Sequence, residues 1–223
     1  NNILSDEHRQ SQWNELLMGQ REITIEPLKK EVVEISADTL QVGYPMISLI
    51  GGSKARIKIL CSECYSGVLK PNGGATPDNL PIKKDRTDFV NGQLHGNEDI
   101  YTVGGFGTVE QNESYEPFWN RTFRFVRLEI CTANEPLIIK EVCYRTVGYP
   151  LEVKTAVECS DESFDKIWDI SLRTLKRCML ETYVDCPFYE QLQYAQDARA
   201  EALFTYMVSA DDRLARQCME DLR

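Results

Sequence analysis

The hydrophobic pattern of this 223-residue chain changes once, near residue 150, and this change constrains the fold more than any other feature. Before it, short runs rich in Val, Ile, Phe and Thr alternate with clusters of Gly, Pro, Asn and Asp. After it, apolar residues recur at the three- and four-residue spacing of an amphipathic helix. The sequence therefore predicts a β domain that is followed by a helical domain.

Six runs in the first part have the length and composition of β-strands. They lie at Glu31–Ile35, Met46–Ile50, Ala55–Cys61, Asp99–Val103, Thr122–Ile130 and Pro136–Val147. Because no helical repeat separates them, we predict an antiparallel β-sandwich of the jelly-roll type over residues 27–150. A segment without a clear period, residues 1–26, leads into it. The polar passage from Pro71 to Glu98 is expected to be a loop that covers a sheet edge, with ligand contact as the alternative.

Three helices are predicted in the last part of the chain, residues 151–223. The first begins at an N-cap, Ser160, and buries one stripe formed by Phe164, Ile167, Trp168, Leu172, Leu175 and Met179. The second covers roughly Glu190 to Val208, and its second half is apolar on nearly all sides, which is typical of a helix buried on most sides. The third follows Ser209-Ala-Asp-Asp212 and is still running at Arg223. Three such helices cannot cover one another, so we expect the chain to be part of a longer protein.

An excess of acidic residues excludes several classes of partner. The chain has 35 Asp and Glu against 25 Lys and Arg, a formal net charge of −10, which repels phosphate backbones and anionic lipid. No stretch is apolar for long enough to cross a bilayer, and we expect no signal peptide within the chain. We therefore expect neither nucleic acid nor a membrane as a partner. Two N-glycosylation sequons, at Asn112 and Asn120, are compatible with secretion, and the compartment stays open between secreted and cytoplasmic.

The eight cysteines do not form a recognisable disulfide or metal framework. Cys61 and Cys64 form the one C-x-x-C pair, but zinc would need a second close pair, which the two histidines, His8 and His95, do not offer. Buried free thiols are the favoured interpretation, and a metal or redox role for this pair is the alternative. We predict no cofactor and no metal, and the sequence leaves the oligomeric state open.

One segment, from Thr182 to Asp197, combines carboxylates with aromatic rings. The carboxylates are Asp185, Glu190 and Asp197, and the rings are Tyr183, Phe188, Tyr189 and Tyr194. Carboxyl groups can exchange protons with a glycosidic oxygen, and flat rings pack on the apolar face of a sugar, so this segment predicts a sugar-cleaving site.

The spacing of the acids limits which pair can catalyse one reaction. On one helix, Glu190 and Asp197 would lie ~10 Å apart along the axis, farther than the roughly 6.5–9.5 Å of an inverting pair. They are therefore not expected to be the acid and base of one reaction. The alternative interpretation is structural, with Asp185 starting a helix, Glu190 serving its dipole and Asp197 pairing with Arg199 or Arg173.

The sequence Asp185-Cys-Pro187, with Glu190 five residues after the Asp and Asp197 seven further on, resembles the signature of the α-L-rhamnosidases of glycoside hydrolase family 78. Upstream, Tyr115–Glu129 resembles the family's last strand pair, and Ser160–Trp168 resembles the first helix of its (α/α)6 barrel. The resemblance implies an antiparallel β-sandwich followed by the first helices of an (α/α)6 six-hairpin barrel that is truncated in this chain.

The same resemblance implies a glycosidase that hydrolyses terminal α-L-rhamnosyl linkages with inversion, acting on a rhamnose-containing glycoside or polysaccharide. Glu190 would be the general acid, and Asp185, Asp197 and Tyr194 would bind the sugar. The family's catalytic base lies much later in the barrel, so residues 1–223 alone are expected to be inactive. The alternative is a non-catalytic carbohydrate-binding or scaffold protein with a degenerate helical domain.

Overall fold

The computed structural model describes residues 6–67 and 85–223. Its contacts divide the chain into two units, Asn1–Arg145 and Thr146–Arg223. The described helices are α1 (Glu7–Leu17) in the first unit, and α2 (Ser163–Cys178), α3 (Ala195–Ser209) and α4 (Arg213–Asp221) in the second. In this part of the chain, no helix has the length and apolar character that crossing a bilayer requires.

The first unit is built around an antiparallel sheet, as the sequence predicts. In the described residues its strands are β1 (Ile23–Ile25), β2 (Lys30–Gly51), β3 (Arg56–Ser62), β4 (Tyr65–Ser66), β5 (Gln93–Leu94), β6 (Asn97–Thr102), β7 (Glu113–Tyr115), β8 (Arg121–Cys131) and β9 (Leu137–Thr146). Seven of them form one sheet in the order β1-β9-β2-β8-β3-β6, with β7 paired to β2, while β4 and β5 pair separately. Half of the predicted loop from Pro71 to Glu98 lies outside the described residues, and its described half contains β5 and the start of β6.

Strand β2 is continuous over 22 residues, so the prediction of two separate strands there is wrong. Its first part pairs with β8 up to Ser36, the register then shifts, and pairing resumes at Gln41. Asp38, which has a φ of 59°, lies inside this irregularity. The residues between Ser36 and Gln41 have the composition of a turn, but in the structure they form an irregularity of the bulge type within one strand. The far end of β2 pairs with β7.

The core of the first unit lies on one face of the sheet. Val33, Leu128 and Ile59 are neighbours across β2, β8 and β3, and both Leu128 and Ile59 are buried. Residues between them, such as Arg127 and Lys58, point to the other face, where they form ion pairs. This is the alternation of an antiparallel sheet. The other face is covered in part, because Leu60 and Phe125 belong to a second buried cluster with Tyr65 and Leu94.

Helix α1 packs into this core, whereas the sequence analysis predicted no helix in residues 1–26. Asp6 caps the helix by accepting a hydrogen bond from the backbone N–H of Arg9 at 3.1 Å. Trp13 and Leu16 are buried in the same cluster as the inner face of the sheet. The indole Nε1 of Trp13 donates to Glu31 Oε1 at 2.5 Å, and Arg9 Nη2 lies 2.7 Å from Glu31 Oε2. These contacts attach α1 to β2.

Helix α2 begins at Ser163, three residues after the predicted N-cap Ser160. Asp161 Oδ1 accepts a hydrogen bond from the backbone N–H of Ser163 at 2.9 Å, so a turn precedes the helix. The predicted buried stripe is confirmed only in the second half of the helix. Leu175 is buried there, whereas Phe164 and Ile167 are more than half exposed.

Among the described residues, helix α3 is buried on one side only, which agrees with the expectation that three such helices cannot cover one another. The buried side carries Ala198, Thr205 and Val208, and the described residues that pack against it include Leu214 and Met179. The other side exposes the side chains of Leu203, Phe204, Tyr206 and Met207. Ala210, with a φ of 56°, ends the helix in the left-handed conformation, and α4 follows after a short turn.

Candidate functional site

The connection between α2 and α3 carries the predicted site residues, and its start is fixed by a buried tyrosine. Tyr183 is fully buried, and its hydroxyl donates to Thr205 Oγ1 at 3.0 Å. Farther along, the backbone N–H of Asp185 donates to the carbonyl of Leu192 at 2.9 Å. The N–H of Leu192 donates back to Asp185 Oδ1 at 3.0 Å. These two reciprocal bonds close residues 185–192 into a loop.

Glu190 lies in this loop, which corrects the prediction that it begins the second helix. Gln191 adopts a left-handed backbone with a φ of 57°, a conformation that cannot continue a helix. Tyr194 is extended, with φ −98° and ψ 140°, and α3 starts only at Ala195. The axial separation of ~10 Å, which assumed that Glu190 and Asp197 share one helix, therefore does not apply.

Tyr194 connects the loop to the start of α3. Its hydroxyl donates a hydrogen bond to Glu190 Oε2 at 2.7 Å. This bond is the main cause of a raised pKa for Tyr194, and loss of hydration and the charges of Glu190, Asp185 and Asp197 raise it further. All three carboxylates act on one phenol, so the structure brings the four predicted site residues together.

The four residues differ in their exposure. Glu190, Tyr194 and Asp197 are exposed, and Asp185 is half-buried. Asp197 lies in the first turn of α3, where the helix dipole favours a negative charge. The structural interpretation expected Asp185 to start a helix. It does not, and its carboxylate accepts a hydrogen bond from the backbone N–H of Leu192 instead.

An aromatic pair lies in the same loop. The rings of Phe188 and Tyr189 meet edge to face, with centroids 4.9 Å apart. Phe188 is buried and anchors the loop, whereas Tyr189 is 51% exposed. The loop therefore presents an accessible ring together with accessible carboxylates, which are the two kinds of group that recognise a sugar.

Glu201 is a carboxyl group that the sequence analysis missed. Its Oε2 is buried and has no hydrogen-bond partner among residues 6–67 and 85–223. Burial, and then the negative charges of Asp197 and Asp185, raise the pKa of Glu201 to about 8. The spacing of four residues places Glu201 on the same helix face as Asp197, but it does not indicate that Glu201 is buried.

The C-x-x-C cysteines lie in the first unit, away from these acids in the chain. Cys61 and Cys64 are buried free thiols, so the favoured interpretation of this pair is confirmed. Burial, with a smaller contribution from Asp99, raises the pKa of Cys61 to about 12, which makes it a poor nucleophile and a poor metal ligand. In the described part of the chain, no group of three or more His, Cys, Asp or Glu side chains is arranged to hold a metal ion.

Residues 152–223 match a protein family, the bacterial α-L-rhamnosidase six-hairpin glycosidase domain. The match covers 72 of the 223 residues, so it shows a similarity of the C-terminal third of the chain to that domain. The resemblance carried by Asp185-Cys-Pro187 and its two spaced acids is therefore confirmed, and the loop that holds them lies within the residues that match this family.

Two solved structures are similar to most of this chain. One is the glycoside hydrolase family 78 rhamnosidase of Bacillus sp. GL1, with a TM-score of 0.64 and 24% identity, covering 86% of this chain and 18% of that one. The other is the rhamnosidase from Klebsiella oxytoca with rhamnose bound, with a TM-score of 0.65 and 18% identity, covering 90% of this chain and 36% of that one. At these identities the likeness shows the fold, and the chain spans only a minor part of each rhamnosidase. No curated protein matches the chain.

Proposed function

We propose that this chain is part of an α-L-rhamnosidase that hydrolyses terminal α-L-rhamnosyl linkages with inversion at the anomeric carbon. The observation that carries the proposal is the loop 185–192 with the adjoining Tyr194, which holds Asp185 and Glu190 next to Asp197 within the residues that match the six-hairpin glycosidase family. The substrate class is a rhamnose-containing glycoside or polysaccharide, and its support is the family of residues 152–223.

In this proposal Glu190 is the general acid. Its proton passes to the glycosidic oxygen as the bond from that oxygen to the anomeric carbon breaks. A water attacks the anomeric carbon from the opposite face and gives its proton to a base from another part of the barrel. The hydroxyl of Tyr194, 2.7 Å from Glu190 Oε2, stabilises the carboxylate that remains after the transfer.

Asp185 and Asp197 are the proposed ligands of the sugar hydroxyls. An ionised carboxylate only accepts hydrogen bonds, which suits it to hydroxyl donors. The bonds between Asp185 and Leu192 hold this carboxylate in place before the sugar arrives. Such preorganisation lowers the free-energy cost of ordering the site on binding.

We further propose that the helices of the second unit open an (α/α)6 barrel, and that the first unit is its jelly-roll-like sandwich over residues 27–150. The barrel is supported by the exposed apolar sides of α2 and α3, which include Ile167 and Phe204. Apolar surfaces of this kind normally pack against another element or another chain. The passage of β2 from pairing with β8 to pairing with β7 supports the sandwich.

The test uses a protein that carries the complete six-hairpin domain, with an aryl rhamnoside of activated leaving group and an alkyl rhamnoside of poor leaving group. We expect the first-formed sugar to be the inverted anomer in a proton spectrum recorded during turnover. Glu190→Gln should lower kcat by about 10²–10⁴-fold on the alkyl rhamnoside and far less on the aryl one, which needs little protonation.

The matched control is Glu181→Gln, which removes an exposed carboxyl at the start of the same segment. This variant should leave both rates unchanged. Equal losses on both substrates for Glu190→Gln would remove Glu190 from the role of acid. Rhamnose binding without hydrolysis would favour the carbohydrate-binding alternative. We expect the 223-residue chain alone to turn over neither rhamnoside.

A further inference from the structure

Glu201 lies beside the proposed sugar-binding carboxylates, and one of its two carboxyl oxygens is buried. It lies one helical turn after Asp197, so the two side chains share one face of α3. Its Oε2 is buried, and no described residue offers it a hydrogen bond. Its backbone carbonyl accepts a hydrogen bond from Thr205 Oγ1 at 2.8 Å. The same Oγ1 accepts a hydrogen bond from the hydroxyl of Tyr183. The turn that carries Glu201 is therefore fixed.

The ionisable groups around Glu201 come from several elements. Asp197 on α3 and Asp185 in the loop 185–192 both disfavour a negative charge on Glu201. The charge of Glu201 acts in turn on Cys178 of α2, on Tyr183 at the start of the connection between α2 and α3, and on Cys218 of α4. An isolated carboxylate in such surroundings gains neither a hydrogen bond nor an opposite charge, so the neutral acid is favoured.

We propose that Glu201 is a positioning residue that works in the sugar site as a neutral, protonated acid, and that losing its proton weakens sugar binding. The inference rests on the proposed function, because it takes Asp185 and Asp197 as the carboxylates that bind the sugar. While Glu201 is neutral, these two carry the negative charge near α3. Once Glu201 is ionised, a third charge repels both and displaces them from the geometry that the sugar hydroxyls require.

The first experiment measures the proton on Glu201 in the 223-residue chain. The pKa of Glu201 is about 8 in the folded chain and has the ordinary value of 4.5 in the unfolded chain. The folded state therefore loses stability progressively as the pH rises from the lower value to the higher one. Glu201→Gln cannot ionise and lacks this fall. We expect the urea midpoint of the wild type to drop relative to that of Glu201→Gln between pH 5 and about pH 8.5.

Glu220→Gln, which removes an exposed carboxyl on α4, is the matched control and should follow the wild type at every pH. A constant difference between wild type and Glu201→Gln across the pH range would overturn the inference. If Glu201→Gln does not fold, infrared spectra of the wild type labelled at glutamate carboxyls replace it. A protonated carboxyl band that persists at pH 7 and is lost by about pH 9 supports the inference, and its absence at pH 7 overturns it.

The closing experiment measures L-rhamnose binding by calorimetry in a protein with the complete six-hairpin domain. At pH 9 a carboxyl with a pKa of about 8 is roughly nine-tenths ionised, so the wild-type Kd should be about tenfold weaker than at pH 6. Glu201→Gln should bind equally at both pH values. If the wild-type Kd does not change with pH, or if the Kd of Glu201→Gln changes equally, the role of Glu201 is overturned and the proposed function stands. Absence of rhamnose binding at both pH values overturns the proposed function, and with it the placement of Glu201 in a sugar site.

Discussion

Tyr194 holds Glu190 through one hydrogen bond, and the two residues approach from a loop and from the start of a helix. Tyr194→Phe keeps the ring and removes this donor. In a protein with the complete six-hairpin domain, we expect kcat on an alkyl rhamnoside to fall by roughly tenfold or more, since a hydrogen bond to a charged group contributes about 1.5–3 kcal/mol. Because Tyr194 is exposed, the melting temperature should stay unchanged.

The control for this change is Tyr206→Phe, which removes the hydroxyl of another exposed tyrosine, this one within α3. Its rates should equal those of the wild type. If Tyr194→Phe turned over both classes of rhamnoside at the wild-type rate, the contact between Tyr194 and Glu190 would have no part in the chemistry.

The sequence predicts which residues of the site lie close together, but not how they are held. Asp185, Glu190, Tyr194 and Asp197 are near one another in the chain, so their proximity follows from almost any local fold. The left-handed Gln191 and the reciprocal bonds between Asp185 and Leu192 have no sequence signal. Glu201 could not be singled out either, because its protonation depends on burial, which is set by tertiary packing.

Among the helices, α1 was the one that periodicity could not detect, and the short strands β1, β4, β5 and β7 were missed as well. Only Trp13 and Leu16 are buried along its length, and the other positions are mostly polar, so no apolar stripe is visible. Its place in the structure depends on two side chains and on the contacts of Glu31 with Arg9 and Trp13. The longer strands were easier to predict, because alternation over several residues survives local irregularity.

Because α1 depends on two buried side chains, shortening one of them should destabilise the structure. Trp13→Ala removes a 2% exposed indole and its hydrogen bond to Glu31, and it should lower the free energy of unfolding by about 3–5 kcal/mol. Urea denaturation of the 223-residue chain followed by tryptophan fluorescence and circular dichroism measures this loss. Met18→Ala, which truncates a 67% exposed side chain just after the helix, should stay within about 0.5 kcal/mol of the wild type. Equal effects of the two changes would contradict the packing of α1 on the core.

At the scale of the whole molecule, the packing of α1 and β1 changes where an independent folding unit should begin. Residues 1–145 should fold without the helices of the second unit, with a dispersed proton spectrum and one cooperative thermal transition. A polypeptide of residues 27–148 lacks Trp13, Leu16, Ile23 and Ile25, all buried in the core. Its melting temperature should be at least about 10 °C lower, because each buried apolar side chain contributes about 1.5–3 kcal/mol. Identical melting of the two polypeptides would show that the first 26 residues are dispensable.

The pairing of β1 with β9 has a consequence for biosynthesis. Ile23 lies opposite Ile139, so a strand made near the beginning of the first unit is completed by one made near its end. At about 5–20 residues per second, a ribosome makes β1 roughly ten seconds before β9 exists. Throughout that interval the nascent chain carries an apolar strand whose hydrogen-bonding edge has no native partner, and such edges attract other chains. Slowing translation between residues 26 and 137 would lengthen this exposure and raise the fraction of chains captured by chaperones or lost to aggregation.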